Sequence, residues 1–427
     1  MPAPASVASS AGSAKKRVLL FAEAVTLAHV ARPLCFAAGL DRDRYRIAIA
    51  CASHAAAHVA AAGIEHLELD SIAPRRFLDS LARGRAVYDA ETLHRYVQAD
   101  LARIERFAPD LVVGDFRLSL SVSARLARIP YVTIASAYWS PYYTPPRWQV
   151  PSLPLTNCLP LGLAQAIFSV ARPVAFAAHC APLNGVRARY GLPALPRDLR
   201  RIYTDADVVA YSDLPELFPL DQMPPTHCFL GPALWQPACQ PPPWWNDVPG
   251  GRPCVYVTMG SSGDARLLPR IVEALAPLPV TLLVSGAALP AAATANVLHA
   301  PFLPGLQAAQ RSRLVVCNGG SLTAYQALVG GAPVLGIASN LDQFLNMQAF
   351  QRAGLGRMLR ADRLTIDTLR EEAAAMLSNA AGEGVLSSWR GRAAARRFDH
   401  AAAALVAEEI DGQRLEPVEQ RGEQPRR

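Results

Sequence analysis

Between Leu314 and Gln348 the chain sets a short apolar strand, the turn Asn318-Gly319-Gly320, and two hydroxyls, Ser321 and Thr323, where a helix should open. Paired glycines let a backbone approach a ligand closely. The first N–H groups of a helix lack intrahelical partners and its dipole favours negative charge there, so this junction suits a phosphate. The predicted helix runs to about Val329 and stops at Gly330-Gly331. A second strand, Pro333 to Ile337, then delivers Asn340-Leu341-Asp342-Gln343 at its carboxyl end. Ligands of open α/β sheets bind at that end, which brings two polar clusters to one crevice. A lone strand–glycine–helix junction also arises from close packing alone, so the reading depends on the rest of the chain.

A second pair of residues could move a proton. His29 sits just after the first expected strand, and Asp115 closes a later strand of the same sheet, so both reach the carboxyl side. A His held by a carboxylate makes a good general base, because the carboxylate fixes the tautomer and stabilises the imidazolium. Taken singly, His29 also reads as a helix-start or surface histidine and Asp115 as a cap. Downstream, Ala137 to Trp148 is an aromatic, proline-rich loop in which Tyr138, Trp139 and Tyr142 could stack on sugar rings or flat acceptors, or pack on their own domain.

These residues need elements to position them. Apolar runs of strand length, Arg17 to Ala22, Tyr45 to Cys51, Leu111 to Asp115 and Tyr131 to Ile134, alternate with helical patterns such as Ala90 to Phe107. That alternation predicts a parallel, doubly wound sheet. Leu159 to Ala181 is apolar but interrupted by Pro160, Arg172 and Pro173, and is expected as an interior helix or the wall of a greasy pocket, with contact to a membrane face as the third reading. The dense Pro and Gly from Gln236 to Pro253 reads as a linker. A second series opens with strand Cys254 to Met259 and the turn Gly260-Ser261-Ser262-Gly263, continues with Val280 to Ser285, and ends in helices over Thr365 to Leu377 and Leu386 to Ile410.

At 427 residues, with 51% hydrophobic and 18% charged residues, the chain can bury two substantial cores. No run of about 18 uninterrupted apolar residues marks a membrane span. The eight cysteines form no CxxC pair and several lie in apolar strands, which points to reduced, buried thiols and a cytoplasmic protein. The net charge of +7 comes almost wholly from arginine and carries no aromatic-basic pattern, so no nucleic-acid partner is expected. A weak attraction to anionic lipid or acidic glycan stays open, and with it a peripheral position at the inner membrane face.

The stretch from Val315 to Gln348 resembles the donor-sugar signature of family 1, UDP-glycosyltransferase-like enzymes of the bacterial type, with Gly319, Gly320, Thr323, Gln326, Ala327, Leu328, Gly331, Pro333, Asp342, Gln343 and Asn346 at its spacing. Asn184 to Pro193, Tyr211 to Pro219 and Phe229 to Pro232 also resemble segments of that family. The resemblance implies the α/β fold class called GT-B, two Rossmann-like, doubly wound domains facing a central cleft. The expected division is a disordered lead-in (1–14), an acceptor-binding domain (15–236), a linker (237–253), a nucleotide-sugar domain (254–388), a helix crossing back onto the first domain (389–410) and a disordered tail (411–427).

What the resemblance implies for function is an inverting, metal-independent transfer of a sugar from a UDP- or dTDP-sugar to an acceptor hydroxyl, the nucleotide sugar serving as co-substrate with no further cofactor. The acceptor is a glycan, a lipid or a natural product. His29 and Asp115 would be the catalytic dyad. Gly260, Ser261, Phe302, Asn318, Gly319, Gly320, Ser321, Thr323, Gln326, Asp342 and Gln343 would bind the donor, with Phe302 stacking on the base, Gln326 facing the ribose, and Asp342 and Gln343 on sugar hydroxyls. Tyr138, Trp139 and Tyr142 would meet the acceptor, and no carboxylate pair stands out as a metal site. The chain departs from the pattern at Ala28, where Gly is common, at Asn318, where His is usual, and at Gln326, where Glu is usual. The competing readings are a nucleotide-sugar epimerase and a silent relative acting as a binding or auxiliary subunit.

Overall fold

A computed structural model of the chain describes residues 14–286, 289, 295–379 and 383–412. The lead-in and tail expected to be disordered lie outside these residues except for their inner edges. Two parallel sheets organise the described residues. The first contains β1 (Lys16–Ala22), β2 (Tyr45–Cys51), β3 (Glu65–Glu68), β4 (Leu111–Asp115), β5 (Tyr131–Ala135), β6 (Val208–Tyr211) and β7 (His227–Phe229), in the order 3-2-1-4-5-6-7. The second contains β8 (Cys254–Thr258), β9 (Thr281–Ser285), β10 (Val297–Ala300), β11 (Ser312–Cys317), β12 (Val334–Ala338) and β13 (Gly356–Arg360), in the order 10-9-8-11-12-13. Helices cover both faces of each sheet, and the middle strands are accordingly buried along their whole length rather than alternating, with polar residues only at the carboxyl ends of β4 and β8. In both sheets the strand order reverses beside the first strand, between β1 and β4 and between β8 and β11, and these are the places where such folds bind ligands.

Six helices bear on the site: α1 (Ala28–Ala38), α2 (Leu161–Arg189), α3 (Ser321–Gly330), α4 (Leu341–Arg352), α5 (Glu383–Ala395) and α6 (Phe398–Asp411). The single helix expected over 386–410 is two. Helix α5 stays on the second domain, its Leu386, Trp389 and Ala393 packed in the cluster that holds Leu328. The chain then extends through Arg396 and Arg397, with Arg396 seated on Gly231, and α6 buries Phe398, Ala402 and Val406 against Val30 and Leu34 of α1. The return to the first domain therefore begins at 396, not 389. Helix α2 also differs from expectation, running unbroken through Pro173 and Pro182. A proline removes one N–H and orphans the carbonyl four residues earlier, here on Ser169 and Ala178, and both of those residues face solvent, which satisfies them.

The linker is not loose. Trp245 is buried, its carbonyl accepts from Arg311, and the Trp244 indole donates to the His299 carbonyl at 3.2 Å. The loop after β5 clasps the opposite domain: Arg360 donates to the Val150 carbonyl at 2.7 Å, Thr156 donates to Asp362 at 2.6 Å, and the Ser152 amide reaches the Ser339 carbonyl at 2.7 Å.

Candidate active site

The register that sets Ala22 beside Asp115 brings that carboxylate to the loop leaving β1, where His29 is the second residue of α1. His29 Nδ1 lies 2.8 Å from Asp115 Oδ1. Arg32, one turn along α1, holds the same buried carboxylate twice, from Nε to Oδ2 and from Nη2 to Oδ1, each at 2.7 Å. Its Nη2 is also 2.8 Å from His29 Nδ1. Two neighbours pull on Nδ1 in opposite senses: the carboxylate favours a proton there, which leaves Nε2 a lone pair to accept another, while the Arg32 guanidinium at the same distance favours an unprotonated Nδ1. The imidazole stacks on Phe116 with centroids 4.7 Å apart. Phe116 holds φ at 56°, a region bulky residues seldom enter, immediately after Asp115.

Across the cleft, Gly319 has φ of 79°, its amide donates to Cys317 Sγ at 3.3 Å, and its carbonyl accepts from Asn346 at 2.9 Å. The Gly320 amide donates to Asn318 Oδ1 at 3.2 Å, while Asn318 Nδ2 donates to Ser262 Oγ at 2.9 Å. Two of the amides expected to hold a diphosphate are thus used inside the turn. The amides of Ser321, Leu322 and Thr323 find no protein acceptor among the described residues and remain for a ligand. Ser262, from the β8 turn, completes this side.

One cavity of about 790 Å³ joins the two halves. Its lining includes His29, Arg32 and Phe116 from the first domain, Tyr138 and Trp139 from the aromatic loop, and Gly260, Ser261, Phe302, Asn318, Gly320, Ser321, Thr323, Gln326 and Asp342 from the second. Phe302 is 62% exposed at the cavity wall. Tyr138 is buried, which pushes its phenol well above the ordinary value. Gln326 donates from Nε2 to the Trp235 carbonyl at 2.6 Å. A glutamate in this position would turn a carboxylate on a carbonyl, so the amide suits this hinge. The Leu27 amide donates to Ser261 Oγ at 2.9 Å, a second link across the cleft.

Three expected site residues lie elsewhere. Tyr142 turns away from the cavity, its ring against His227 and under the Arg201 guanidinium. Gly319 faces inward, where a Cβ would stand 2.6 Å from Met347 Cγ. Gln343 is buried; its Oε1 accepts from the Ser339 amide and hydroxyl, and its Nε2 faces the Ser262 carbonyl at 3.4 Å, so it braces two turns rather than meeting a sugar. Sequence reading missed Arg32, Phe116 and Ser262. The i, i+3 spacing of His29 and Arg32 on one helix was the available signal for the first.

With this geometry in view, the comparisons are direct. The sequence model of the glycosyltransferase family 28 C-terminal domain matches residues 290–386. A PGL/p-HBAD biosynthesis rhamnosyltransferase of Mycobacterium bovis is 49% identical over 352 residues, 82% of this chain and 78% of that protein. The chain belongs to the same glycosyltransferase family as that protein. A PGL/p-HBAD biosynthesis glycosyltransferase of Mycobacterium tuberculosis is 43% identical over 393 residues, 91% of this chain and 89% of that one. An inactive PGL/p-HBAD biosynthesis glycosyltransferase of Mycobacterium bovis is 42% identical over 261 residues, 61% and 71% of the two chains. Among solved structures, the spinosyn forosaminyltransferase SpnP superimposes with a TM-score of 0.68 at 17% identity, covering 93% of this chain and all of its own. The rhamnosyltransferase SpnG complexed with thymidine diphosphate gives 0.64 at 18%, covering 92% and 100%. The architecture of this glycosyltransferase is GT-B.

Proposed function

We propose that this glycosyltransferase works by inversion and without a metal, moving a sugar from a UDP- or dTDP-sugar to the hydroxyl of an acceptor that is itself largely apolar. The observation that carries the reading is the shared cavity, lined on one side by His29 with Asp115 behind it and on the other by the unpaired amides of Ser321 to Thr323. His29 Nε2 takes the acceptor proton as the acceptor oxygen attacks the anomeric carbon. The bond from that carbon to the diphosphate breaks, and the charge on the leaving oxygen falls to the α3 amides and the Thr323 hydroxyl. Displacement in a single step inverts the anomeric centre. Asp342, at the start of α4, faces the sugar, and Phe302 faces the base.

The identity with a rhamnosyltransferase makes rhamnose the first sugar to test, in a step akin to PGL/p-HBAD biosynthesis. We place the reaction in the cytoplasm, in keeping with eight free cysteines. The silent reading stays in contention because one relative is named inactive. Thermal stabilisation across UDP, dTDP and their sugars identifies the donor, since a ligand that binds the folded state raises its stability. Changing His29 to Ala should keep that stabilisation while transfer falls by roughly 10²–10⁴-fold. Stabilisation by nucleotide with no transfer in the wild type would favour the silent reading, and no stabilisation by any nucleotide would remove both.

A further inference from the structure

Resting on the transferase reading, we propose that the outward face of α2 seats the protein on an anionic phospholipid bilayer, from which the acceptor slides into the cavity. Helix α2 has 29 residues, and only 17% of its most apolar stretch is buried. Val170 is 82% exposed, Val174 73%, Leu163 51% and Ile167 41%. With Ala166, Ala178 and Ala181 they recur at three- and four-residue steps and form one unbroken apolar stripe along the helix. The opposite side is anchored, since Phe176, Cys180, Leu183 and Val186 belong to the core of the first domain. A helix fixed along one side and apolar on the other lies in an interface and does not cross it.

Two features identify what covers the stripe. The first is charge: of the eight arginines in residues 116–197, Arg117, Arg125 and Arg187 are taken up by Glu23, Asp100 and Asp205, while Arg128, Arg147, Arg189 and Arg197 are exposed, and the stretch carries no aspartate or glutamate before Asp198. Arg147 is exposed on the loop whose Trp148 packs under Arg172 of α2, at 4.6 Å from ring to guanidinium. A greasy face with a cationic border and an indole beside it complements anionic headgroups. The second is continuity. Turning around α2 from the stripe, Ile167, Phe168, Ala171 and Ala175 line the acceptor end of the cavity, and Ile167 belongs to both surfaces. A lipid-borne acceptor can therefore pass from bilayer to cavity by way of Ile167, with Arg172 and His179 also on the cavity wall.

The test is flotation of the full chain with phosphatidylglycerol-rich vesicles, with phosphatidylcholine vesicles, and with high salt, for the wild type and the double variant Val170→Asp, Val174→Asp. Neither valine lines the cavity, so transfer to a soluble, short-chain aromatic acceptor should be unchanged in the variant; this arm reads the transferase proposal independently. The wild type should float with the anionic vesicles and weakly with the neutral ones, and the variant should lose at least roughly tenfold in partition. No flotation with anionic vesicles, or equal flotation of the variant, overturns the proposal. So does a wild-type dimer by light scattering that the variant dissociates, which would assign the stripe to a second copy of the chain.

Discussion

The indole nitrogen of Trp139 donates to Oδ1 of Asp342 at 2.9 Å, joining the acceptor loop of one domain to the donor side of the other. Both residues line the cavity, so the aromatic loop fixes one oxygen of a carboxylate on its wall. On the proposed function, the second oxygen is left for a sugar hydroxyl.

Trp139→Phe keeps the ring and removes the donor. A hydrogen bond to a charged group is worth about 1.5 kcal/mol at the low end, so kcat/KM should fall roughly tenfold. Asp342→Ala, which also removes the sugar contact, should cost more. Steady-state kinetics in donor and acceptor separate the two: if Trp139→Phe equals the wild type, the cross-domain bond has no part in aiming Asp342.

Arg32 touches both oxygens of Asp115 and sits against His29, and its own charge is held by Asp115 in spite of burial. Arg32→Gln leaves the carboxylate with fewer donors and the imidazole less constrained. The expected result is a fall in kcat of about ten- to a hundredfold with nucleotide stabilisation unchanged, since misplacing a catalytic group acts on the reaction step. Arg32→Lys should recover only part, because a point charge cannot make the paired contact. A loss confined to thermal stability would make Arg32 structural only.

Gly319 provides a stability prediction. Its φ of 79° is strained for any other residue, and a Cβ would press on Met347 Cγ at 2.6 Å. Gly319→Ala should lower stability by about 1–3 kcal/mol. Because Met347 is fully buried, Met347→Ala carries a cavity cost of its own, so Gly319→Ala should cost less when made in the Met347→Ala background than in the wild type, the remainder being the backbone share. Urea titrations of the single and double variants make the comparison.

How much of this was legible beforehand follows from which forces are local. Strand β4 was readable to the residue, and β11, α3 and β12 to within a residue or two, because their apolar runs and glycine stops are written in adjacent positions. The same holds for the juxtaposition of His29 and Asp115, which strand order imposes. What the sequence withheld depends on long-range packing. Tyr142 and Trp139 sit three residues apart in one loop, yet one turns to His227 and the other to Asp342. Gln343 reads as a sugar ligand beside Asp342 but occupies the inner face of α4, where Ser339 holds it. Pro173 of α2 looked like a break because solvent access to Ser169 cannot be read from the chain alone.

Asp213 gives the last prediction. It is buried where the domains meet, accepting from the Ala137 amide at 2.7 Å and from the Tyr325 hydroxyl at 2.9 Å. Burial outweighs those donors and pushes its carboxyl up to about 6, from an ordinary value of 3.8. The folded state then holds the proton more tightly than the unfolded chain, so the favourable share is present in full at low pH and is lost as pH rises from about 4 to 6. The upper bound on that loss is about 3 kcal/mol. His227 opposes it: desolvation lowers its imidazole to about 4, so its effect is to raise stability as pH rises from about 4 toward 6.5. The clean readout is the difference between wild type and Asp213→Asn across this range. The variant's carbonyl oxygen can accept from only one of Ala137 and Tyr325, a cost that does not vary with pH, so its stability relative to the wild type should improve as pH rises from 4 to 6, and a difference that stays flat would mean Asp213 is ionised throughout.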